Sequence, residues 1–438
     1  MNVILLSGGS GKRLWPLSND VRSKQFIKLF RNEHGEYESM LQRMYREIRN
    51  IDSEAQVTIA TAKSQISAIH NQIGEDVNIS LEPCRRDTFP AIALACAYLH
   101  DVKHISEKEP VVVCPVDPYV QKDYFEALKK LSELAEDPSF HLTLMGIEPT
   151  YPSEKYGYII PETKELVSRV KTFREKPDAE TAGEYIRLGA LWNGGIFAFQ
   201  LGYLWKKAHE LIEFTDYYDL FSRYDTVNKI SFDYAVVEKE ESIAVMRFAG
   251  EWKDLGTWNT LTESMTENTV GSVILADDCE NVHVINELDI PVIGMGLKDV
   301  VVAASPDGIL VSDKEQSGYL KKYVERLDEQ VRYAEKSWGE YRVLDIGDSY
   351  ETVKITVLAG HRMSYHSHQH RDEMWTVISG KGRTIVDGME QNVEAGDVIT
   401  MQAGCRHTVI AETDLNIIEV QIGREISAHD KQKYELER

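Results

Sequence analysis

The sequence predicts an α/β fold over residues 1–264, a short β-helix-like connecting segment over 265–330 and a small β-barrel over 331–438. Three observations predict it. Apolar runs of strand length alternate with helical patterns through roughly the first 260 residues, which argues for a mostly parallel sheet with ligands at the carboxyl ends of its strands. Near residue 265 the helical patterns stop and short β runs follow at turn-like spacing. From about 335 to 423 short strands are broken by glycines (339, 347, 360, 380, 388, 396 and 404), the pattern of a barrel or jelly roll.

Taken in order, buried strands are expected over 2–6, 57–61, 110–114 and 142–146. A helix is expected over 39–49, where Met40, Leu41, Met44, Tyr45 and Ile48 recur at helical spacing. The connecting segment carries the runs Val273-Ile274, Val282–Ile285, Pro291–Ile293 and Val300–Val302. Gln316–Leu327 reads as helix, and the charged last fifteen residues as helical or frayed.

At 438 residues the chain is long enough for two or three domains. No run of about 18 apolar residues occurs, so no membrane span is expected. The first residues read as a strand and not as a signal peptide. Five scattered cysteines without CxxC spacing fit free thiols in a cytoplasmic protein. A net charge of −22 argues against a nucleic-acid partner. It also means that an anionic substrate needs locally placed cations.

The stretch "LLSGGSGKRLWPLSNDVRSKQF" (5–26) runs from a strand into glycines and then cations. It is not a P-loop, because Arg13 follows Gly11-Lys12 and Leu6 stands where the first glycine belongs. It is not a dinucleotide fingerprint, because Leu14 takes the place of the third glycine. Consecutive glycines still let backbone N–H groups approach a phosphate, with Arg13 and Lys24 to neutralise it. A plain glycine-rich turn is the alternative.

The stretch resembles the G-G-x-G-x-R-L-W-P-L-S…K-Q-F signature of sugar-1-phosphate nucleotidyltransferases. It is most similar to the mannose-1-phosphate guanylyltransferase family, in the long form fused to a type II phosphomannose isomerase domain. Further motifs follow in the family's order. Glu82–Ala93 resembles E-P-x-G-R-N-T-A-P-A-I-A, and Pro115-Val116-Asp117 resembles P-A-D-H. Tyr156–Ile159 resembles Y-G-Y-I, Phe173–Pro177 resembles F-V-E-K-P, and Trp192–Phe197 resembles W-N-S-G-M-F. Ser231–Ala235 resembles S-I-D-Y-A, and Trp252–Trp258 resembles W-x-D-x-G-x-W.

The resemblance implies a Rossmann-like domain that joins a nucleoside triphosphate, GTP in most relatives, to a sugar-1-phosphate such as mannose-1-phosphate. Leu6 would contact the nucleotide, Gly8, Gly9, Gly11, Lys12 and Arg13 would hold its triphosphate, and Arg13 would also be catalytic. Glu82, Arg86, Asp87 and Thr88 fall where the family recognises the nucleotide. Lys24 would stabilise charge at the reacting phosphate. Asp117 and Asp254 would hold Mg²⁺. Lys176 would bind the sugar phosphate, and Gly157, Glu175, Asn193 and Asp233 would line the sugar pocket. Each has a plainer alternative: Asp117 as a helix N-cap, Lys176 as a solvated turn residue, Asn193 as a turn residue. Trp192, Trp252 and Trp258 read as packing. Ser23, Arg85, Asp87, Phe89 and Pro118 depart from the family's pattern, which leaves another base or another sugar phosphate open. The family often pairs through the connecting segment, so a homo-dimer is expected.

A second constellation lies in "GHRMSYHSHQHRDEMWTVISG" (360–380). Gly360-x5-His366-x-His368-x4-Glu373-x6-Gly380 matches the first cupin motif. Gly396-x5-Gln402-x-Gly404-x2-His407 matches the second, with Gln402 where proline is usual. In a strand His366 and His368 share a face, and Glu373 and His407 can converge from neighbouring strands. Three imidazoles and a carboxylate suit Zn²⁺, Fe²⁺, Mn²⁺ or Ni²⁺. His361 and His370 are poorer candidates. Lys336–Tyr341 resembles the isomerase opening R-P-W-G-x-Y, and Ile418–Gly423 resembles I-E-V-Q-x-G. His366 stands where that family has Gln, Met374 where it has His, and its closing segment is poorly kept in Ser427–Arg438. The cupin is thus either an isomerase or a binding and oligomerisation module.

Overall fold

The structure is a computed structural model that describes residues 1–8, 11–19, 21–327 and 331–436. It divides into two units, Met1–Ser10 with Ser23–Thr266 and Gly11–Arg22 with Glu267–Arg438. Gly9, one of the expected phosphate-loop glycines, lies outside the described residues.

The first unit is built on a mixed nine-stranded sheet. Its strands are β1 (Asn2–Leu6), β2 (Gln56–Ala62), β3 (Asn78–Glu82), β4 (Pro110–Pro115), β5 (Leu142–Ile147), β6 (Gly157–Pro161), β7 (Val167–Arg174), β8 (Leu191–Gln200) and β9 (Ile243–Phe248). They lie in the order β3-β2-β1-β4-β8-β5-β9-β7-β6. β1 to β4 run parallel, and β8 runs antiparallel to β4 and β5. Val3, Ile4, Leu5 and Val111–Cys114 have no exposed surface, as expected of parallel strands covered on both faces. Leu6 is level with both Ala60 and Pro115. The chain segments after β1 and β4 therefore leave the sheet at the same edge, and Asp117 is two residues beyond β4.

The helix expected over 39–49 spans Met40–Ile51 and buries Met40, Leu41, Met44 and Ile48. A capping box starts it: Ser39 Oγ accepts from the Gln42 N–H at 3.1 Å, and Gln42 Oε1 accepts from the Ser39 N–H at 3.0 Å.

In the second unit, Thr269–Val270, His283–Asn286 and Val300–Ser305 stack as parallel rungs. Val273–Leu275 and Val292–Gly294 form a second parallel pair. Gly11–Arg22 packs here. Arg22 makes a bidentate pair with Glu287 at 2.7 and 2.9 Å. Asn19 donates to Asp307 at 2.6 Å and the Ser305 hydroxyl to the Pro16 carbonyl at 2.7 Å. A side chain at Gly308 would run into the Trp15 ring. The helix expected over 316–327 is a 3₁₀ turn (Gln316–Tyr319) followed by Lys321–Val324, because Gly318 weakens a continuous helix.

The C-terminal barrel has a six-stranded and a five-stranded sheet around Trp375, Val357, Met401, Val409 and Ile417. The tail, expected to be helical or frayed, instead forms strand Lys431–Lys433, which pairs with His366–His368. That strand offers unpaired backbone groups at a sheet edge, and filling them outweighs the tail's weak local preference.

Replacing Ser39 with Ala removes a helix cap that stabilises by about 1 kcal/mol. Amide exchange across Met40–Ile51 should quicken about fivefold, read by hydrogen–deuterium exchange.

Candidate active site and metal centre

The edge at the end of β1 and β4 gathers the charged residues of the first unit. Trp252–Asp254 pairs antiparallel with Pro118–Val120, and Asp254 is directly opposite Pro118. This ribbon brings Asp254 beside Asp117. Helix Lys122–Leu134 begins at Gln121, so Asp117 is not its N-cap. A side chain at Gly256 would crowd the Asp254 carboxylate, which explains the glycine in the W-x-D-x-G-x-W pattern. Lys24 Nζ is 2.8 Å from Asp117 Oδ2 and 3.8 Å from Asp254 Oδ1, and it donates to the Leu255 carbonyl at 3.2 Å. The turn that carries Lys24 is tied to the sheet. Gln25 donates to the Ser7 carbonyl at 3.2 Å and to its hydroxyl at 3.1 Å. Ser23, fully buried, accepts from Gln65 at 2.6 Å.

Beside this cluster is a cavity of about 240 Å³ whose wall includes Asp117, Gly157, Glu175, Asn193, Asp233 and Asp254. The strand β8 bulges at Gly194-Gly195 between its pairings to β5, and Asn193 turns to donate to Asp233 at 2.6 Å. Burial, then the nearby Glu175, pushes the Asp233 carboxyl up to about 6. A side chain at Gly157 would run into Glu175 Oε2 and the Phe173 ring, so this glycine is required for the wall to close. Lys176, left-handed at φ 46°, is half-exposed and pairs with Glu175 at 2.6 Å. It is outside the cavity wall. A second cavity of about 360 Å³, lined by Phe89, Leu220 and Ile230 among others, shares no residue with the first. The smaller one is the candidate site, because its wall holds four carboxylates and a carboxamide.

Glu82 ends β3, almost buried, and accepts from the Tyr224 hydroxyl at 3.0 Å. Burial raises its carboxyl above the usual range against that bond. Asp87 caps helix Thr88–Ala97, its carboxylate accepting from the Thr88 N–H at 2.8 Å. The Thr88 hydroxyl accepts from the Phe232 N–H at 2.8 Å, which joins this helix to the short Asp233 helix. The Arg86 guanidinium donates to the Asp225 carbonyl. Gly8 follows β1, and Gly11, Lys12 and Arg13 form a 3₁₀ turn of the second unit.

In the barrel, His366 is level with His407 across the strands. The ligating atoms of His366, His368, Glu373 and His407 lie within 4.8 Å of one another, and each residue is 2% exposed. Each imidazole donates Nδ1–H to a backbone carbonyl, of Ser364 at 2.6 Å, Asp430 at 3.1 Å and Cys405 at 3.0 Å. That fixes the tautomer that leaves Nε2 as a ligand. Burial depresses His366 to about 2 and His368 to about 4, so both are neutral and able to bind a metal. Arg371 donates to Glu373 Oε1 and to His368 Nε2, both at 3.0 Å. His361 and His370 stand apart from this group.

The nucleotidyl transferase model matches residues 2–270, more than half of the chain. The chain belongs to the nucleotidyl transferase family. Residues 325–436 match the mannose-6-phosphate isomerase C-terminal model. Mannose-1-phosphate guanylyltransferase of Escherichia coli K12 is 30% identical over 98% of this chain and 96% of its own length. Mannose-1-phosphate guanylyltransferase ManC of Salmonella typhimurium LT2 is 29% identical over 99% and 97%. The crystal structure of mannose-1-phosphate geranyltransferase from Thermus thermophilus superposes with a TM-score of 0.63 at 30% identity, over 75% of this chain and 98% of that one. The nucleotidyltransferase thus carries a cupin-like barrel C-terminal to its catalytic fold. No helix among the described residues is long and apolar enough to cross a membrane.

Within the nucleotidyltransferase unit, sequence reasoning missed Lys155, Tyr156 and Trp252 among the wall residues. Trp252, read as packing, also lines the cavity, with its ring edge to face against Tyr156 at 5.6 Å. Tyr156 is raised by burial and then by Asp254. Lys155 lines the cavity as well. Trp192 and Trp258 are buried.

The barrel's donor set predicts about one transition metal per chain by elemental analysis, and His366→Ala should lose most of it. A fully loaded His366→Ala protein would remove that residue from the site.

Proposed function

We propose that this nucleotidyltransferase joins GTP to mannose-1-phosphate, giving GDP-mannose and pyrophosphate. The observation that carries the reading is the convergence of Lys24, Asp117 and Asp254 beside a cavity with Asn193 and Asp233 in its wall. Full-length relatives with that printed activity favour the base and the sugar.

A sugar-phosphate oxygen attacks the α-phosphorus, the α–β anhydride bond breaks, and pyrophosphate leaves. Positioning and charge neutralisation carry most of such a transfer. Two carboxylates drawn to one cation fit a divalent ion, and Mg²⁺ would supply neutralisation of the triphosphate and the leaving group. Asp117 and Asp254 would hold that ion, and Lys24, which contacts both carboxylates, would stabilise charge at the α-phosphate. Asn193 and Asp233 would orient the sugar hydroxyls, and Glu175 would position Lys176 for the sugar phosphate. Gly8, Gly9, Gly11, Lys12 and Arg13 would hold the triphosphate, and Glu82, Arg86, Asp87 and Thr88 the nucleoside.

The division at 264 and 330, a cytoplasmic location and a homo-dimer belong to the same reading. The free cysteines support the location. The exposed Ile274 and Ile293, opposite one another on adjacent rungs, support pairing with a second copy. In the barrel, the inward Nε2 atoms favour a metal-dependent isomerase acting on mannose-6-phosphate. Incubation with that sugar should give fructose-6-phosphate, and no conversion by the metal-loaded protein would leave the barrel a binding module.

Pyrophosphate release should be fastest with GTP and mannose-1-phosphate in a matrix of four nucleoside triphosphates and a panel of sugar-1-phosphates. Asp254→Asn should lower it at least ~100-fold, the scale of losing a group that acts in the transition state. A faster alternative pair would overturn the substrate assignment, and wild-type turnover in Asp254→Asn would overturn the metal role.

A further inference from the structure

The cavity has an excess of negative charge that Lys24 and Lys176, both already paired with carboxylates, meet only in part. Asp117, Glu175, Asp233 and Asp254 all line it, and the chain carries a net charge of −22. A sugar phosphate entering such a site meets like charge unless a cation faces it. Lys24 is engaged by Asp117 and Asp254. Lys176 is paired to Glu175 and outside the wall. Among the residues that line the cavity, Lys155 is the one lysine and no arginine is present.

The loop that presents Lys155 is braced from beneath. The Lys155 N–H donates to the Ser153 hydroxyl at 3.2 Å. Ser153, almost fully buried, is itself clamped on the buried Tyr158. Its N–H donates to the Tyr158 hydroxyl at 2.9 Å, and that hydroxyl donates to the Ser153 carbonyl at 3.1 Å. Trp192 Nε1 donates to the same hydroxyl at 3.1 Å. Gly157, two residues on, enters the sheet opposite Asn193. The backbone at Lys155 is therefore tied to the strand that carries the sugar-pocket amide. The ammonium has no carboxylate partner among the described residues, so a ligand anion meets no competitor for it. The plainer alternative is a solvated surface lysine, and Lys155 is exposed, but it is also the one lysine of a wall in which Lys24 serves Asp117 and Asp254.

We propose that Lys155 is a further specificity residue of the nucleotidyl transfer: from the cavity wall it joins Lys176 in receiving the phosphoryl group of the incoming sugar-1-phosphate and so selects phosphorylated over free sugars. The proposal rests on the reading given under Proposed function. A lysine suits this task because its ammonium is a compact point charge on a flexible stem. It can follow the phosphate as the sugar settles against Asn193 and Asp233.

The test measures initial rates of pyrophosphate release by the full chain with Mg²⁺, varying mannose-1-phosphate and GTP separately. Lys155→Ala should raise KM for the sugar phosphate about tenfold or more, as expected for loss of a charge-assisted contact, with KM for GTP within about twofold. Lys155→Arg should recover most of the loss. Calorimetry with mannose-1-phosphate should show the same weakening, and unphosphorylated mannose should bind the wild type and the Ala variant equally. An unchanged KM for sugar phosphate in Lys155→Ala, with the wild type active, would overturn the proposal alone. An equal rise in both KM values would also overturn it. No pyrophosphate release by the wild type with any sugar phosphate would overturn the transferase reading beneath it as well.

Discussion

The architecture of the catalytic unit turns on one interaction, the contact of Lys24 with Asp117 and Asp254. Two carboxylates held close together repel unless a cation lies between them. The ribbon of Pro118–Val120 and Trp252–Asp254 imposes the closeness, and Lys24 answers it at 2.8 and 3.8 Å. Everything nearby serves to keep these three groups in place. Gln25 fastens the lysine turn to the end of β1, and Gln65 fastens Ser23. Gly256 leaves room for the Asp254 carboxylate. The same two carboxylates are the ones that would hold a divalent ion.

The barrel solves the same problem independently. Its three imidazoles and Glu373 form a buried ring of lone pairs, and Arg371 donates into that ring as Lys24 does in the catalytic unit. In each unit a side-chain cation meets part of a crowded polar group, and in the barrel Glu373 Oε2 and His407 Nε2 stay buried without a hydrogen-bond partner. The C-terminal tail completes the barrel: the Asp430 carbonyl accepts from His368, and Lys431–Lys433 pairs with the strand that bears two of the histidines.

Much of this was legible in the sequence. The strands at the ends of which the site lies are near-continuous apolar runs, and the cupin spacing points to the four buried groups that could hold a metal. Asp117 and Asp254 were found through resemblance, since 137 residues of separation carry no local pattern that joins them. What stayed hidden depends on long-range packing. The bond that compensates Ser23 comes from Gln65, 42 residues on. The tail became a strand because another strand's edge was open to it. Residues 11–22, which read as one loop with the glycines before them, pack with the rungs through Arg22 and Glu287. Lys155 carried no signal, because a lysine in a polar loop reads as solvated until a cavity is seen beside it.

If Lys24 stands in for the divalent ion, it must compete with that ion. Binding of Mn²⁺ to the nucleotide-free protein, followed by electron paramagnetic resonance, measures this competition directly. Replacing Lys24 with Met should tighten Mn²⁺ binding about tenfold or more, because two carboxylates then face the ion without an internal rival. Unchanged or weaker binding in that variant would contradict the account.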